Sequence, residues 1–179
     1  MAMTVQTTFS DAPAIGFAGT LDSNLAHDVI TMKNAEASLS IAFGRAVKFK
    51  DTVTSDKDAV LPVAETDKIL GIVLRADTYG VAWTDLDGNT FGELDSVGIK
   101  PGAFLNVLRR GRVLVTAEDA VEAGDKLWVR CTTGTPSNVE VIGGLTNADE
   151  GTETIDCTAV GTWMTSAAAG GLAWLDVNF

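Results

Sequence analysis

The stretch AFLNVLRRGRVLVTA, Ala103 to Ala117, decides the fold class. It divides into two apolar runs, AFLNVLRRG (Ala103–Gly111) and RVLVTA (Arg112–Ala117), with Gly111 placed where a hairpin turn would sit. Runs this short and this rich in Val and Leu are strand-like. The same signature recurs in both directions. Upstream lie IAFGRAVKF (Ile41–Phe49), AVLPVA (Ala59–Ala64), ILGIVLR (Ile69–Arg75) and VAW (Val81–Trp83). Downstream lie KLWVRC (Lys126–Cys131), VEVI (Val139–Ile142), TIDCTAV (Thr154–Val160) and LAWLDVNF (Leu172–Phe179). Asp87-Gly88, Gly102, Gly124-Asp125, Gly134, Gly143-Gly144 and Gly170-Gly171 punctuate them, and glycine is the residue a turn with φ > 0 favours. Many short strands with such turns predict an all-β body, either a small barrel or β-tulip or a jelly-roll sandwich. The segment TAEDAVEAGDKL (Thr116–Leu127) carries helix formers, but Gly124 stops it, so a loop between strands is expected. Thr132–Gly151, with its Thr, Gly, Asn and acidic residues, predicts a hairpin with long solvated loops.

Residues 1–38 differ in character. Isolated apolar side chains (Phe9, Ile15, Phe17, Leu21) sit among Thr, Ser, Asp and Gly, and no period of 2 or 3.6 persists. Pro13, Gly16 and Gly19 interrupt the stretch, and Asn24–Met32 offers at most a short helix. A segment that cannot bury its own apolar groups lies extended on another surface or stays loose. The expected organisation is therefore an extended N-terminal arm over 1–38 and a β-body over 39–179.

Composition narrows the function classes. In 179 residues, 46% are hydrophobic and 21% charged, which is a globular balance. Thirteen basic against 24 acidic residues give a formal charge of −11. Phosphate neutralisation supplies most nucleic-acid affinity, so a nucleic-acid partner is not expected. An anionic membrane surface is disfavoured for the same reason. The N-terminus lacks a basic region followed by an apolar one, which predicts a product that is cytosolic when made, without a signal peptide. Cys131 and Cys157 are the two cysteines. They could form one disulfide, or remain two reduced structural thiols, as cytosolic cysteines do.

No chemistry-bearing constellation emerges. His27 is the single histidine and has no nucleophile elbow near it. A cysteine nucleophile would want a histidine partner, and zinc would want C-x-x-C pairs or more histidines. Asp85-Leu86-Asp87-Gly88-Asn89-Thr90 alternates oxygen ligands as a calcium loop does. Thr90 replaces the loop's glycine and Ser96 its closing glutamate, so a hairpin at Asp87-Gly88 is the expectation. Phosphate-binding glycine loops are absent. The acidic clusters Glu118/Asp119/Glu122 and Asp149/Glu150/Glu153 read as solvated loops. No cofactor, metal ion or catalytic residue is therefore expected. Trp83, Trp128, Trp163 and Trp174 suit core or interface packing better than a sugar-binding row. Arg109, Arg110 and Arg112 stand out in a −11 chain. They suit either a docking spot for an acidic partner or a turn paired with the chain's own acidic loops.

The order of these pieces resembles the structural cement, or capsid decoration, proteins of tailed phages. The matching residues are Gly44, Ala46 and Val47, then Gly71, Ile72 and Val73, then Gly111, Val113 and Val115, and finally Val121, Ala123, Gly124 and Asp125. The similarity covers about Thr4 to Arg130 and is strongest over Ser40–Arg130. It implies a non-enzymatic protein on the outer surface of the expanded head. Its partners there would be the major capsid protein and further copies of itself, as a trimer or dimer. By bridging neighbouring capsid subunits it would stabilise the head against internal DNA pressure. The arm would add a strand to a neighbour's sheet edge, with Phe9, Ile15, Phe17 and Leu21 as anchors beside Arg109, Arg110 and Arg112. Another virion or tail structural β-protein, or a small carbohydrate-binding β-protein, are the alternatives.

Overall fold

The computed structural model of the protein describes residues 16–50, 57–75, 98–132 and 141–179. Among these residues there is no α-helix, and the strands run in this order. The first seven are β1 (Thr20–Leu21), β2 (Asp28–Asn34), β3 (Ile41–Ala42), β4 (Ala46–Phe49), β5 (Asp58–Val60), β6 (Ile69–Val73) and β7 (Gly98–Ile99). The remainder are β8 (Phe104–Thr116), β9 (Trp128–Arg130), β10 (Leu145–Thr146), β11 (Thr154–Asp156), β12 (Gly161–Trp163) and β13 (Leu172–Asn178). The all-β expectation holds. The run Val81–Trp83, the Asp87-Gly88 turn and Gly134 lie outside the described residues.

The main sheet runs β12-β13-β8-β2-β5-β4-β6, and β6 returns to pair with β8. That last pairing closes β8-β2-β5-β4-β6 into a five-stranded barrel. β2 and β5 are parallel, while the other pairs in the ring are antiparallel. A three-stranded sheet, β10-β9-β11, and the pair β3–β7 complete the body.

β8 organises both halves. Its 13 residues span about 44 Å at the usual antiparallel rise. Residues 104–110 pair with β2 and, at Val107 and Leu108, with β6. Residues 110–116 pair with β13, and Val113 and Leu114 pair with β1. The hairpin turn expected at Gly111 does not form, because the two apolar runs are one strand. Gly111 has φ +131°, and a β-bulge lies beside it where the β2 register shifts between Asp28 and Val29. A glycine at positive φ signals a bulge as readily as a turn.

Two apolar cores lie on opposite sides of the wall formed by β4, β6 and β8. Val47, Leu70, Val73, Leu105 and Val107 face the smaller core, with Met32, Ile41, Phe43, Ala59 and Ile99. Their neighbours Ala46, Ile72, Leu108, Val113 and Val115 face the larger one, with Leu127, Val129, Leu145, Trp163 and Leu175. Strands buried on both faces need apolar residues at consecutive positions, which is why ILGIV reads as an unbroken run.

Residues 16–34 depart from the expected arm. β1 and β2 are members of the main sheet, and Gly19 N–H donates to Leu114 O at 2.7 Å. The helix allowed at Asn24–Met32 does not form: residues 24–27 are loop and Asp28–Met32 open β2, with Met32 buried in the smaller core and Ile30 packed against it. Asn34 is fully buried. Its Nδ2 donates to Ile99 O at 2.7 Å and Leu39 O at 3.1 Å, so its polarity is satisfied. Of the expected run Val139–Ile142, Val139 and Glu140 lie outside the described residues and Val141 and Ile142 lie at a turn; the chain then hydrogen-bonds to Arg130 at Gly143 and Gly144 and enters β10. After β8 ends at Thr116, the chain runs as a loop to Leu127, with a turn at Gly124 (φ +99°).

Candidate functional site

The basic cluster sits on β8 at the junction of the two halves. Arg109 Nη1 lies 3.7 Å from Asp28 Oδ2, and Arg112 Nη1 lies 3.9 Å from Asp22 Oδ2. Asp22 N–H also donates to Arg112 O at 2.9 Å. These two arginines pair with the N-terminal segment rather than with acidic loops next to a turn. Arg112 Nε is buried and has no hydrogen-bond partner among the described residues. Arg110, two residues from Arg112 on the same strand, is exposed and makes no ion pair among the described residues.

The expected apolar anchors separate. Phe9 and Ile15 lie outside the described residues. Leu21 is opposite Val113 and packs against the larger core, so the fold itself uses it. Phe17 remains 47% exposed, and the Arg75 guanidinium lies 4.3 Å from its ring centroid. Such a cation–π contact fixes a surface aromatic without burying it. The structure therefore leaves Phe17, Arg109 and Arg110 accessible, pairs Arg109 with Asp28 at the surface, and ties Leu21 and the half-buried Arg112 into the body.

The acidic clusters are not simply solvated. Arg130 is fully buried on β9, and three carboxylates converge on it. Its Nε donates to Glu118 Oε2 at 2.6 Å, and Nη1 and Nη2 donate to Glu150 at 2.9 Å each. Glu153 Oε2 lies 3.5 Å from Nη1. Glu118 Oε1 accepts from Val141 N–H at 2.9 Å, and Arg45 lies 3.8 Å away. Burial pushes the Glu118 carboxyl above its usual range, partly opposed by the Arg130 hydrogen bond. Burial alone would lower Arg130, but the hydrogen bonds to Glu150 and Glu118 more than offset it and raise its pKa. Burial likewise lowers Arg45, with Glu118 acting against the shift. Glu118 and Arg130 are 12 positions apart and Glu150 lies 20 beyond Arg130, so no local pattern announces the site. The one available signal was an arginine inside the apolar run KLWVRC.

Among the described residues no reactive group is assembled. His27 is exposed, with Nδ1 2.9 Å from Leu25 O. Among the described residues no cluster of His, Cys, Asp or Glu could hold a metal ion. The Asp85–Ser96 segment lies outside the described residues. Cys131 and Cys157 are free and buried. Burial raises the Cys131 thiol and pushes Cys157 up to about 12, where it stays protonated. Trp163 is fully buried in the larger core, Trp128 and Trp174 are half-buried, and Trp83 is outside the described residues. The tryptophans therefore form no exposed row among the described residues.

Comparison with known proteins supplies the identity. None of the curated proteins matches the chain. A chain from the capsid of Myoviridae phage XM1 shares the fold, with a TM-score of 0.60 at 19% identity over 99% of this chain and 98% of that one. The head fibre gp8.5 N base of bacteriophage phi29 aligns over 86% of this chain and 95% of its own, at 16% identity and a TM-score of 0.37. The family model described as structural cement protein (E217 gp24/Pam3 gp6) matches residues 5–178. That match spans both cores and β8, and the chain belongs to the phage structural cement protein family.

Proposed function

We propose that this capsid cement protein binds the outer surface of the expanded phage head and bridges neighbouring major capsid subunits. The observation that carries the proposal is the cement-family match across residues 5–178. Packed DNA pushes the shell outward, and a bridge across a subunit boundary raises the cost of separating the two subunits. No catalytic step enters this role. Phe17 and Arg110 suit the contact because both stay accessible on the surface of the body. The segment before residue 16, with Phe9 and Ile15, is proposed to contribute further anchors on the capsid. Self-association as a trimer or dimer would place several contacts on one symmetry axis and multiply a weak single contact.

The test is the protein composition of purified mature virions of the source phage. Hundreds of copies in a simple ratio to the major capsid protein are expected, with removal by proteases that leave the shell intact. A few copies per particle would assign the protein to the portal or tail. Absence from the particle would remove the proposal.

A further inference from the structure

We propose that a cleft beside the barrel is the docking site for an extended, carboxylate-bearing segment of a neighbouring capsid subunit. The inference rests on the capsid-binding function proposed above and names the chemistry of the contact. The cleft has a volume of about 500 Å³ and lies between β8, β13, the residues around Leu25 and the loop that precedes β12. Arg110 and Lys126 line it together with one carboxylate, Asp176, and with Asn178. Leu25 and Met164 flank it and are 40% and 39% exposed.

Charge complementarity selects the occupant. Arg45, Lys48, Arg109, Arg112 and Arg130 each lie within 4.0 Å of a carboxylate. Arg110 and Lys126 do not, among the described residues; Lys33 and Lys68 are exposed and equally without a carboxylate there, but only Arg110 and Lys126 come together in one cleft. A guanidinium grips a carboxylate with two parallel hydrogen bonds, and an ammonium adds a point charge beside it. The exposed Leu25 and Met164 would receive an apolar side chain next to that carboxylate. Two cations on a strongly acidic body cannot neutralise the run of phosphates that nucleic-acid binding demands, so a protein segment is the occupant.

The experiment measures binding of the full-length protein to expanded capsids of the source phage that lack it, by co-sedimentation across salt concentrations. Two double variants with equal change in net charge are compared, Arg110→Glu/Lys126→Glu in the cleft and Lys33→Glu/Lys68→Glu outside it. All four side chains are exposed, and thermal unfolding confirms that each variant folds. The expected result is a loss of apparent affinity of about 30-fold or more for the cleft variant, with the other within about twofold of wild type. Equal weakening of both variants would assign the effect to net charge and overturn the proposed cleft. Wild-type affinity in both would overturn the cleft while leaving capsid binding intact. Failure of the wild-type protein to bind capsids would overturn the capsid-binding function, and the cleft with it.

Discussion

Gly71→Ala tests the barrel closure with one methyl group. Gly71 lies on β6 beside the seam where Ile72 and Val73 pair with Leu108 and Val107. A Cβ at Gly71 would collide with the Leu108 carbonyl oxygen. It would also stand 2.7 Å from Val107 Cγ1 and 2.9 Å from the Leu108 carbonyl carbon. Carbon atoms rest about 3.5–4.0 Å apart, so β6 and β8 would have to separate by about 1 Å. Overpacking of this kind costs about 1–3 kcal/mol, and a stretched ladder hydrogen bond adds about 1 kcal/mol. The expected loss is about 2–4 kcal/mol, which in a chain of this size lowers Tm by about 5–15 °C. Thermal and urea unfolding would measure it, with native-state hydrogen exchange at Ile72 and Val73 locating the damage. Gly102→Ala is the comparison, because Gly102 has φ +81° and open space around it, so its alanine carries backbone strain of about 1–2 kcal/mol without collision. If Gly71→Ala unfolds no earlier than Gly102→Ala, the seam does not depend on the missing side chain.

Four further outcomes follow from particular contacts. Arg130→Met should cost about 3–5 kcal/mol by urea unfolding, because Glu118 stays buried with only the more distant Arg45 beside it; a change below about 1 kcal/mol would show that the network relaxes freely. Burial alone would raise the Asp67 carboxyl. Its hydrogen bonds from Lys48 (2.8 Å) and from the Val63 and Ala64 N–H groups outweigh this and hold it below the usual range. A depressed carboxylate adds stability above its unfolded pKa and loses it as pH falls through the folded value. Stability should therefore drop below about pH 4, and Asp67→Asn should flatten that acid limb; an unchanged limb would remove Asp67 as its source. Cys131 and Cys157 should resist a thiol reagent at pH 8 in the folded protein and react in urea, and rapid native labelling would contradict their burial. Removing residues 1–15 should leave the β spectrum and Tm nearly unchanged, whereas removing residues 1–38 deletes β1 and β2 and should abolish cooperative unfolding.

Strand identity was legible wherever burial is two-sided. ILGIV and the halves of β8 carry apolar residues at consecutive positions, and that signal survives without knowing the partner strand. β2 was not legible, although DVITMKN alternates. Only Ile30 and Met32 among its inward residues are apolar, and the third, Asn34, is polar and satisfied by Leu39 and Ile99 carbonyls. A period of 2 carried by two side chains does not rise above loop composition. Gly111 was visible as a backbone exception, but whether the exception is a turn or a bulge depends on β2 and β13, which lie far away in sequence. The basic cluster was found from local charge contrast alone. Its division into two paired arginines and one unpaired arginine depends on where Asp22 and Asp28 are delivered. The Arg130 site left only an arginine inside an apolar run as its trace, since its carboxylates arrive from two separate loops.

The arrangement around β8 bears on how a cement protein would carry load. Five strands close the barrel and β13 extends the sheet past it, but both halves share β8 as one uninterrupted backbone. Separating them requires breaking the β13 ladder from Leu172 to Asn178 along with the core behind it, because no linker joins two independent units. On the proposed role, tension entering at one capsid contact reaches the other through paired strands rather than through a hinge. Glycines hold that path together at two points. Gly71 lets β6 approach β8, and Gly111 lets β8 continue from the barrel into the outer sheet without colliding with His27. A side chain at Gly111 would meet His27 Cβ at 3.0 Å and hold a strained φ as well, so Gly111→Val should weaken the union of the halves more than it weakens either core. Two separated unfolding transitions in place of one would be the signature. A single transition merely shifted to lower temperature would mean that the shared cores, and not the continuity of β8, couple the halves.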